Sequence, residues 1–319
     1  MAVHAFIFPG QGSQVPGMGR DLAEAFAAAR EVFQEVDDTL NQKLSKLMFE
    51  GPPEELTLTE NAQPALMAHS LAVLRVLERE GGFTLADRAV VVAGHSLGEY
   101  SALAAAGSFS IAEAAGLLRL RGQAMQKAVP AGEGAMAALL GCDIDLAREI
   151  CAAAGPNPEG KTEVIDVAND NGGGQVVVSG AKPAVERACL IAKEKGVKRA
   201  MLLPVSAPFH CRLMAPAADA MAEALERTAP RAPAVPLIAN VAAGKVTSPE
   251  AIMRGLVEQV TATVRWRECV DAMTALGVDS FIELGAGKVL TGIAKRLSPD
   301  AAAAAAGTPA DIEALLKTL

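Results

Sequence analysis

A short apolar run that ends at a serine between two glycines constrains this chain most. Residues 89–93 read AVVVA, a continuously apolar sequence typical of a strand buried in a parallel sheet. Residues 94–98, GHSLG, follow directly and lead into a helix predicted at about residues 99–106. Strand, tight turn and helix form the context of a nucleophile elbow, in which glycines permit the bend that exposes the serine. The bare G-x-S-x-G pattern is weak, so a glycine-rich turn with an unreactive serine stays open.

Strand and helix patterns alternate along the rest of the chain. Apolar runs predict strands at residues 3–8, 235–239 and 280–284, and residues 21–80 are predicted to be mainly helical. Strands separated by helices predict an α/β fold with a parallel sheet. Residues 301–306 are alanine-rich, low-complexity sequence, and residues 310–319 predict a short terminal helix; neither suggests chemistry.

Residues 132–204 predict a different kind of unit, with the order βαββαβ of a ferredoxin-like fold. Its predicted elements are a strand at 135–140, a helix at 143–153, strands at 164–168 and 175–179, a helix at 183–195 and a strand at 199–205. We expect this unit to be a subdomain inserted into a larger α/β domain made of residues 1–131 and 205–319. A cleft is expected between the two.

Charge and cysteine content argue against several classes of protein. The chain has 29 Lys and Arg against 37 Asp and Glu, a formal net charge of −8. This charge disfavours general nucleic-acid binding, which depends on neutralising phosphates. The longest charge-free apolar stretches are well short of the about 20 residues that span a bilayer. Five cysteines without a CxxC pair argue against a disulfide framework and a cysteine-rich zinc site, so we expect a cytoplasmic protein.

A serine nucleophile requires a base, and the chain has four histidines. His4 begins a predicted strand, and His69 lies in a helix rich in Ala, Leu and Met, where a core histidine is the simpler interpretation. His95 is the sequence neighbour of the serine, so the two side chains are expected to diverge. His210 lies in a loop where the inserted unit rejoins the main domain. A lone loop histidine is more often solvated than catalytic, but His210 is the best-placed base.

Arg121 lies within the apolar stripe of a predicted helix. At about 100° per residue, that stripe is formed by Ile111, Ala114, Ala115, Leu118, Gly122 and Met125. A guanidinium that faces the core must find an anion or several carbonyl groups. Two interpretations stay open: a buried structural ion pair with an Asp or Glu, and a bidentate clamp for a substrate carboxylate.

Residues 8–14, FPGQGSQ, form a glycine-rich loop after the first strand. The loop does not fit G-x-G-x-x-G and has no Walker lysine, so phosphate binding by those two routes is unsupported. The backbone N–H of Gln11 can instead supply an oxyanion donor. Neither HExxH nor a paired His/Asp cluster occurs, and no metal site is predicted.

These motifs resemble the malonyl-CoA:acyl carrier protein transacylases of dissociated fatty acid synthesis. The resemblance covers nearly the whole chain, in matching order: FPGQGSQ at 8–14, GHSLGEY at 94–100, Arg121, Asn169, Asn171 and Gln175, APFH at 207–210, Gln259, VRW at 264–266 and ELGAGKVLT at 283–291. It implies an α/β-hydrolase-like parallel-sheet core with an inserted ferredoxin-like βαββαβ subdomain.

The resemblance also implies the roles of the reacting groups. Ser96 is expected to be acylated, with His210 as its base. The backbone N–H groups of Gln11 and Leu97 would form the oxyanion hole. Arg121 would bind the malonyl carboxylate.

The remaining site residues implied by the resemblance surround the base. Gln259 is expected to be one of the substrate-binding residues. It would also lie behind His210, which the family orients through a backbone carbonyl instead of an aspartate. Phe209 resembles the residue found in malonyl-selective relatives, and Asn171 is also expected to bind substrate. Cys211 stands where the family often has serine, and we expect this thiol near the site to be tolerated.

The implied reaction is ping-pong transfer of malonyl from malonyl-CoA to the phosphopantetheine thiol of acyl carrier protein, feeding fatty acid biosynthesis. It requires no metal or redox cofactor, and the enzyme is expected to be a monomer. A serine hydrolase or thioesterase stays open as an alternative, but it would require the order Ser…Asp…His. A standalone acyltransferase of a polyketide pathway stays open because only the carrier protein would differ.

Two groups of basic residues are expected to dock the acidic carrier protein, since a net charge of −8 would otherwise repel it. The first group lies on the inserted unit and the second near the carboxyl terminus: Lys193, Lys195, Lys198 and Arg199, then Lys288, Lys295 and Arg296. The alternative is that both are ordinary solvated charge runs.

Overall fold

The computed structural model of the protein describes residues 2–319. Its strands are β1 (His4–Phe8), β2 (Ala89–Gly94), β3 (Gly134–Leu140), β4 (Ile165–Asp170), β5 (Gln175–Ala181), β6 (Arg199–Leu202), β7 (Leu237–Ala239), β8 (Gly244–Val246), β9 (Ser280–Leu284) and β10 (Ala302–Ala306). Its α-helices are α1 (Arg20–Ala25), α2 (Ala27–Leu40), α3 (Leu44–Glu50), α4 (Pro53–Thr57), α5 (Thr59–Gly81), α6 (Leu85–Arg88), α7 (Gly98–Ala105), α8 (Ile111–Ala128), α9 (Ile144–Ala154), α10 (Lys182–Glu194), α11 (Ala215–Arg227), α12 (Pro249–Gln259), α13 (Trp266–Ala275), α14 (Val289–Leu297) and α15 (Pro309–Leu316).

The larger sheet has the strand order β10-β9-β1-β2-β7-β8. All neighbours pair parallel except β7 and β8, which form an antiparallel edge. Alternate residues of the central strand β1 face two cores: Phe6 and Phe8 pack with α2, α5 and α8, whereas Ala5 and Ile7 pack with α13 and α14. Both faces of the sheet are covered by helices, as the continuously apolar β2 sequence predicts.

The alanine-rich residues 301–306, interpreted from the sequence only as low-complexity, include a strand. Ala302–Ala306 forms β10, which pairs along its whole length with β9 at the edge of the sheet. Alanine has a low strand propensity, so backbone pairing with β9 and packing against α15 determine this strand. The short edge strand β8 was also not predicted from the sequence.

The smaller sheet has the order β4-β5-β3-β6 and is antiparallel throughout. Its apolar core is formed with α9 and α10, which the sequence placed correctly between the strands. This strand order is that of a ferredoxin-like unit, as the βαββαβ pattern predicted. The domain limits at residues 131/132 and 204/205 stay a prediction.

Strand β4 of the smaller sheet is hydrogen-bonded to the segment that precedes α13. The backbone N–H of Asp170, at the end of β4, donates to the carbonyl of Val264 at 2.9 Å, and the N–H of Val264 donates to Ala168 at 2.9 Å. Residues from both parts line the cavity. None of the helices within residues 2–319 has the length and apolar character needed to cross a membrane.

Candidate active site

The turn between β2 and α7 presents Ser96 in a conformation that the flanking glycines make possible. Ser96 has φ = 54°, in the left-handed region that non-glycine residues rarely occupy. A Cβ at Gly94 would lie 1.9 Å from the backbone of Gly98, and a Cβ at Gly98 would lie 2.3 Å from the carbonyl oxygen of Phe8. Both glycines are therefore required by close backbone approach, which supports the elbow over an incidental glycine-rich turn.

Asn240 holds this turn from the neighbouring strand. Its Oδ1 accepts a hydrogen bond from the Ser96 backbone N–H at 2.8 Å, and its Nδ2 donates to the carbonyl of Gly94 at 2.7 Å. The side chain thus fixes the backbone on both sides of His95. Sequence reasoning did not single out Asn240, although its place directly after β7, at the carboxyl end of a strand beside β2, was a usable signal.

Ser96 and His210 are in direct contact. Ser96 Oγ lies 2.7 Å from His210 Nε2, and His210 Nδ1 lies 2.8 Å from the backbone carbonyl oxygen of Gln259. Because that carbonyl can only accept, Nδ1 carries the proton and Nε2 is free to accept from the serine hydroxyl. Burial, reinforced by the charge of Arg121, lowers the pKa of His210 to about 3, so the ring is neutral at neutral pH.

The guanidinium of Arg121 is buried beside the same serine. It donates to Gln63 Oε1 at 2.9 Å, to Gln259 Oε1 at 2.8 Å and to Ser96 Oγ at 3.2 Å. Within residues 2–319 no carboxylate oxygen comes within 4.0 Å of it. The structural ion pair considered from the sequence is therefore not formed, and a buried cation is left facing the serine without an anion.

Gly122 explains how Gln63 reaches Arg121. A Cβ at Gly122 would lie 2.6 Å from the Cα of Glu60, so only glycine allows α8 to approach α5 this closely. The capping box of Ser110 and Glu113 fixes the start of α8. Sequence reasoning missed Gln63, because it meets Arg121 only through this helix contact.

A cavity of about 290 Å³ opens beside the serine. Besides Ser96, His210 and Arg121, its lining includes Gln11, Leu97 and Phe209 from the larger part, and Met136, Asn169 and Leu203 from the inserted unit. In the part of the chain that the structure describes, the backbone N–H groups of Gln11 and Leu97 donate to no acceptor. Two free donors in a lining that also holds a serine–histidine pair suit the stabilisation of an oxyanion.

Known proteins match this chain along its whole length. Residues 5–316 match the acyl transferase domain family. The malonyl CoA-acyl carrier protein transacylase of Bacillus subtilis is 46% identical over 319 residues, 100% of this chain and 98% of that protein. The chain belongs to the malonyl-CoA:acyl carrier protein transacylase family.

Solved structures agree with this family in fold. The acyl-carrier-protein-S-malonyltransferase of Bartonella henselae superposes with a TM-score of 0.95 at 55% identity, covering 99% of both chains. A malonyl-transacylase solved in complex with a type II PKS acyl-carrier protein superposes with a TM-score of 0.94 at 42% identity, covering 100% of both chains. The resemblance drawn from the motifs, the fold class and the assignment as an acyltransferase are confirmed.

Within this transacylase fold, Asn171 does not contact the serine cavity. Its Oδ1 lies 2.9 Å from His95 Nε2, and both residues line a neighbouring cavity of about 240 Å³. His95 lines the serine cavity as well, but its Nε2 contacts Asn171, and within residues 2–319 its ring forms no hydrogen bond with Ser96. His69 is buried, with Nε2 3.0 Å from the carbonyl oxygen of Gly307, which agrees with a core role.

Gln259 also differs from its expected place among the substrate-binding residues. It is fully buried and does not line the cavity of Ser96. Its backbone carbonyl holds His210 as the resemblance implies, while its side chain contacts Arg121 and Glu99. The structure thus gives this side chain protein partners and no access to a bound substrate.

The thiol of Cys211 lies next to the base in sequence but points elsewhere. Its Sγ–H donates to the carbonyl of Pro208 at 3.1 Å. Burial raises the pKa of Cys211 to about 11, so the thiol is protonated at neutral pH and is a poor nucleophile. Within residues 2–319, no three His, Cys, Asp or Glu side chains are grouped to bind a metal ion.

Proposed function

We propose that this chain transfers malonyl from malonyl-CoA to the phosphopantetheine thiol of an acyl carrier protein, through a malonyl-Ser96 intermediate, in fatty acid biosynthesis. The observation that carries the proposal is the buried guanidinium of Arg121, which lies 3.2 Å from the serine oxygen and has no carboxylate partner among residues 2–319. A malonyl group esterified to Ser96 carries a carboxylate that would complete this ion pair. A hydrolase of neutral esters has no use for such a cation.

Acylation begins when His210 Nε2 takes the hydroxyl proton of Ser96 and Oγ attacks the thioester carbonyl of malonyl-CoA. The carbonyl oxygen becomes an oxyanion, which the N–H groups of Gln11 and Leu97 stabilise. The C–S bond then breaks, and the CoA thiolate leaves with the proton returned from Nε2. The Nδ1–H of His210 remains bound to the Gln259 carbonyl throughout, which keeps the ring in one orientation.

The second half-reaction reverses these roles. The carrier thiol gives its proton to His210 Nε2 and attacks the ester carbonyl of malonyl-Ser96. When the C–Oγ bond breaks, the proton returns to Ser96 and the malonyl thioester leaves on the carrier. One thioester replaces another, so the exchange is nearly thermoneutral and needs no metal or redox cofactor. The rate enhancement then rests on positioning and oxyanion stabilisation.

We assign selectivity for the acyl group to Arg121 and Phe209, which both line the cavity. Arg121 provides a bidentate-capable cation for the malonyl carboxylate, and burial strengthens this interaction by excluding water. Phe209 also lines the cavity and limits the space for a branched acyl group.

The carrier protein is proposed to dock on the two basic groups, whose members are all exposed: Lys193, Lys195, Lys198 and Arg199, then Lys288, Lys295 and Arg296. Lys195 already pairs with Glu149 at 3.1 Å, so its contribution is expected to be smaller. We also propose a cytoplasmic monomer. All five cysteines are unpaired, as is typical of a reducing compartment.

A second candidate carrier deserves a direct comparison, because one relative was solved with the acyl-carrier protein of a type II polyketide synthase. The chemistry at Ser96 would be the same with either carrier. Parallel transfer assays with a fatty acid carrier and a polyketide carrier separate the two functions by their kcat/KM. A higher kcat/KM for the polyketide carrier would reassign the pathway.

Mass spectrometry of the intact protein after incubation with malonyl-CoA tests the proposed reaction. The wild type should gain one malonyl group, release little free malonate, and lose the group when a phosphopantetheinylated carrier protein is added. Ser96→Ala should gain none while keeping its fold by circular dichroism. Malonate release without an adduct would indicate a hydrolase, and an undiminished adduct on Ser96→Ala would remove this residue from its role.

A further inference from the structure

Glu99 is a buried acid next to the site that the proposed mechanism does not use. It lies in the first turn of α7, three residues after Ser96, and is only 2% exposed. Its Oε2 accepts hydrogen bonds from the backbone N–H of Asn240 at 2.9 Å and from Gln259 Nε2 at 3.0 Å. Acidic side chains are seldom fully buried unless hydrogen-bond partners compensate for the lost water. The two contacts provide this compensation, and they point to a role for a buried acid at this position.

The amide of Gln259 connects this acid to the cation of the cavity. Its Nε2 donates to Glu99 Oε2 and to the backbone carbonyl oxygen of Ser96, both at 3.0 Å, and its Oε1 accepts from Arg121 Nη2 at 2.8 Å. Burial raises the pKa of Glu99 to about 7, so the acid is partly ionised at neutral pH, and its carboxylate form can accept but not donate. The Ser96 carbonyl can likewise only accept, whereas a guanidinium can donate but not accept. The reversed amide would therefore place oxygen against oxygen at Glu99 and two sets of N–H groups against each other at Arg121. Only one orientation of Gln259 satisfies Arg121 on one side and the two acceptors, Glu99 and the Ser96 carbonyl, on the other.

We propose that Glu99 is a positioning residue for malonyl recognition: together with the Ser96 carbonyl it fixes the amide of Gln259, which holds the guanidinium of Arg121 where the substrate carboxylate arrives. This inference rests on the proposed malonyl transfer. It extends that function to a residue that does not line the serine cavity and touches no reacting atom.

The structure also predicts which acyl donor should lose more kcat/KM when Glu99 is replaced. The contact to His210 comes from the backbone carbonyl of Gln259, at the end of α12, and does not depend on the orientation of the amide. Glu99 also accepts from the backbone N–H of Asn240, whose side chain holds the Ser96 turn, so part of any loss should be shared by both acyl donors. The route through the Gln259 amide to Arg121 should add a loss that only malonyl-CoA shows. Malonyl-CoA should lose more than acetyl-CoA, which has no carboxylate to bind.

Substitutions at Glu99 test this with both acyl donors. Glu99→Ala should lower kcat/KM for acylation by malonyl-CoA about 10- to 100-fold, the range expected when an active-site group is misplaced, with a smaller loss for acetyl-CoA. Glu99→Gln retains an oxygen that can accept from Asn240 and Gln259, and should recover most of the malonyl activity. Equal losses with both donors, or a Glu99→Gln variant as impaired as Glu99→Ala, would overturn the proposal.

A double-mutant cycle tests whether Glu99 acts through Gln259. Gln259→Ala removes the amide but keeps the backbone carbonyl behind His210. If Glu99 acts through this amide, adding Glu99→Ala to Gln259→Ala should cause little further loss in the malonyl-to-acetyl ratio of kcat/KM. Fully additive losses would show that Glu99 acts by another route and would contradict the inference.

Glu283 provides the matched control for removing a buried acid. It is also fully buried, but its oxygens accept from Leu290 and Thr291 at the start of α14. Glu283→Ala should lower the melting temperature and leave the malonyl-to-acetyl ratio unchanged.

If Glu99→Ala does not fold, Glu99→Asp tests the proposal instead. Aspartate keeps the acid but has a shorter side chain, which withdraws the carboxyl group from Gln259. An unchanged malonyl-to-acetyl ratio in Glu99→Asp would overturn the proposal. A wild type that forms no malonyl adduct would instead refute the proposed function.

Discussion

Ser96 Oγ has two hydrogen-bonding neighbours of opposite character, His210 Nε2 at 2.7 Å and Arg121 Nη2 at 3.2 Å. We call Ser96, His210 and the Gln259 carbonyl the reacting half of the site, and Arg121 with the side chains of Gln63 and Gln259 the selecting half. The reacting half handles a proton and can act on any thioester. The selecting half holds a fixed charge and matters only to an acyl group that carries an anion.

The two halves differ in how they tolerate burial. Histidine adapts by losing its charge, since burial lowers its pKa and leaves a neutral ring able to accept a proton. Arginine cannot adapt in this way because its guanidinium stays protonated in proteins, so three side-chain oxygens surround it instead. Separate variants of each half should therefore give different substrate profiles.

Breaking the reacting half should have the largest effect. His210→Ala removes the general base, which contributes about 10²- to 10⁴-fold, and kcat/KM should fall by this amount for malonyl-CoA and acetyl-CoA alike. Rates of acylation by both donors measure it. His4→Ala, at the start of β1, is the matched control and should retain full activity. A His210→Ala variant with nearly normal rates would place the base elsewhere, with His95 next to be examined.

Breaking the selecting half should separate the two donors. Arg121→Ala would leave the malonyl carboxylate buried and unpaired, at a cost of about 2–5 kcal/mol, or roughly 30- to 5,000-fold in kcat/KM. Acetyl-CoA should lose little and can gain, because the site then no longer holds an unpaired cation. Steady-state kinetics with both thioesters, together with a melting curve, measure the outcome.

Arg119 supplies the control for that experiment. It lies two residues from Arg121 on α8 but contacts Gln42 and lies near Glu60, away from the serine. Arg119→Ala should leave the malonyl-to-acetyl ratio unchanged. Parallel losses for both donors in Arg121→Ala, with a marked fall in melting temperature, would show that the arginine is structural and not a clamp.

The two halves also differ in how far the sequence could specify them. The GHSLG turn is contiguous, and its glycines follow from local geometry, so Ser96 could be identified from five residues. His210 and Arg121 were identified by loop position and helix periodicity. Gln63, Glu99 and Asn240 were not assigned, because their polar contacts form only when separate elements pack together.

The same distinction applies to the fold. The βαββαβ order and the strands β1, β2 and β9 follow from local apolar runs, and the structure contains them all. The alanine-rich strand β10 has no such local signal, since pairing with β9 creates it. The elements that could not be predicted from the sequence are those whose conformation depends on pairing with another element of the fold.

A pH profile should reveal a coupling between the halves. Since burial and Arg121 both lower the pKa of His210 from 6.5 to about 3, the neutral base persists well below pH 6.5. With acetyl-CoA, wild-type kcat/KM should therefore stay nearly constant from about pH 8 down to about pH 5. In Arg121→Ala the repelling charge is gone, so the pKa of His210 rises and the acidic fall in rate should begin at a higher pH. A wild type that loses half its rate near pH 6.5, or an unshifted Arg121→Ala profile, would contradict this coupling.

The smallest expected effect lies outside both halves, at the surface proposed to dock the carrier protein. An exposed ion pair contributes about 0.2–1 kcal/mol, so Lys288→Glu should raise the KM for carrier protein at least severalfold, since it also adds a repulsion. Raising the ionic strength from about 0.01 to about 0.15 M shortens the Debye length from about 30 to about 8 Å, and should raise this KM more than that for malonyl-CoA. Lys245, on β8 at the opposite edge of the larger sheet, is the control and should show no such change when reversed to Glu. Because neither half of the site contacts these lysines, the malonyl-to-acetyl ratio should stay constant throughout. An equal salt effect on both substrates would argue against docking through the basic groups.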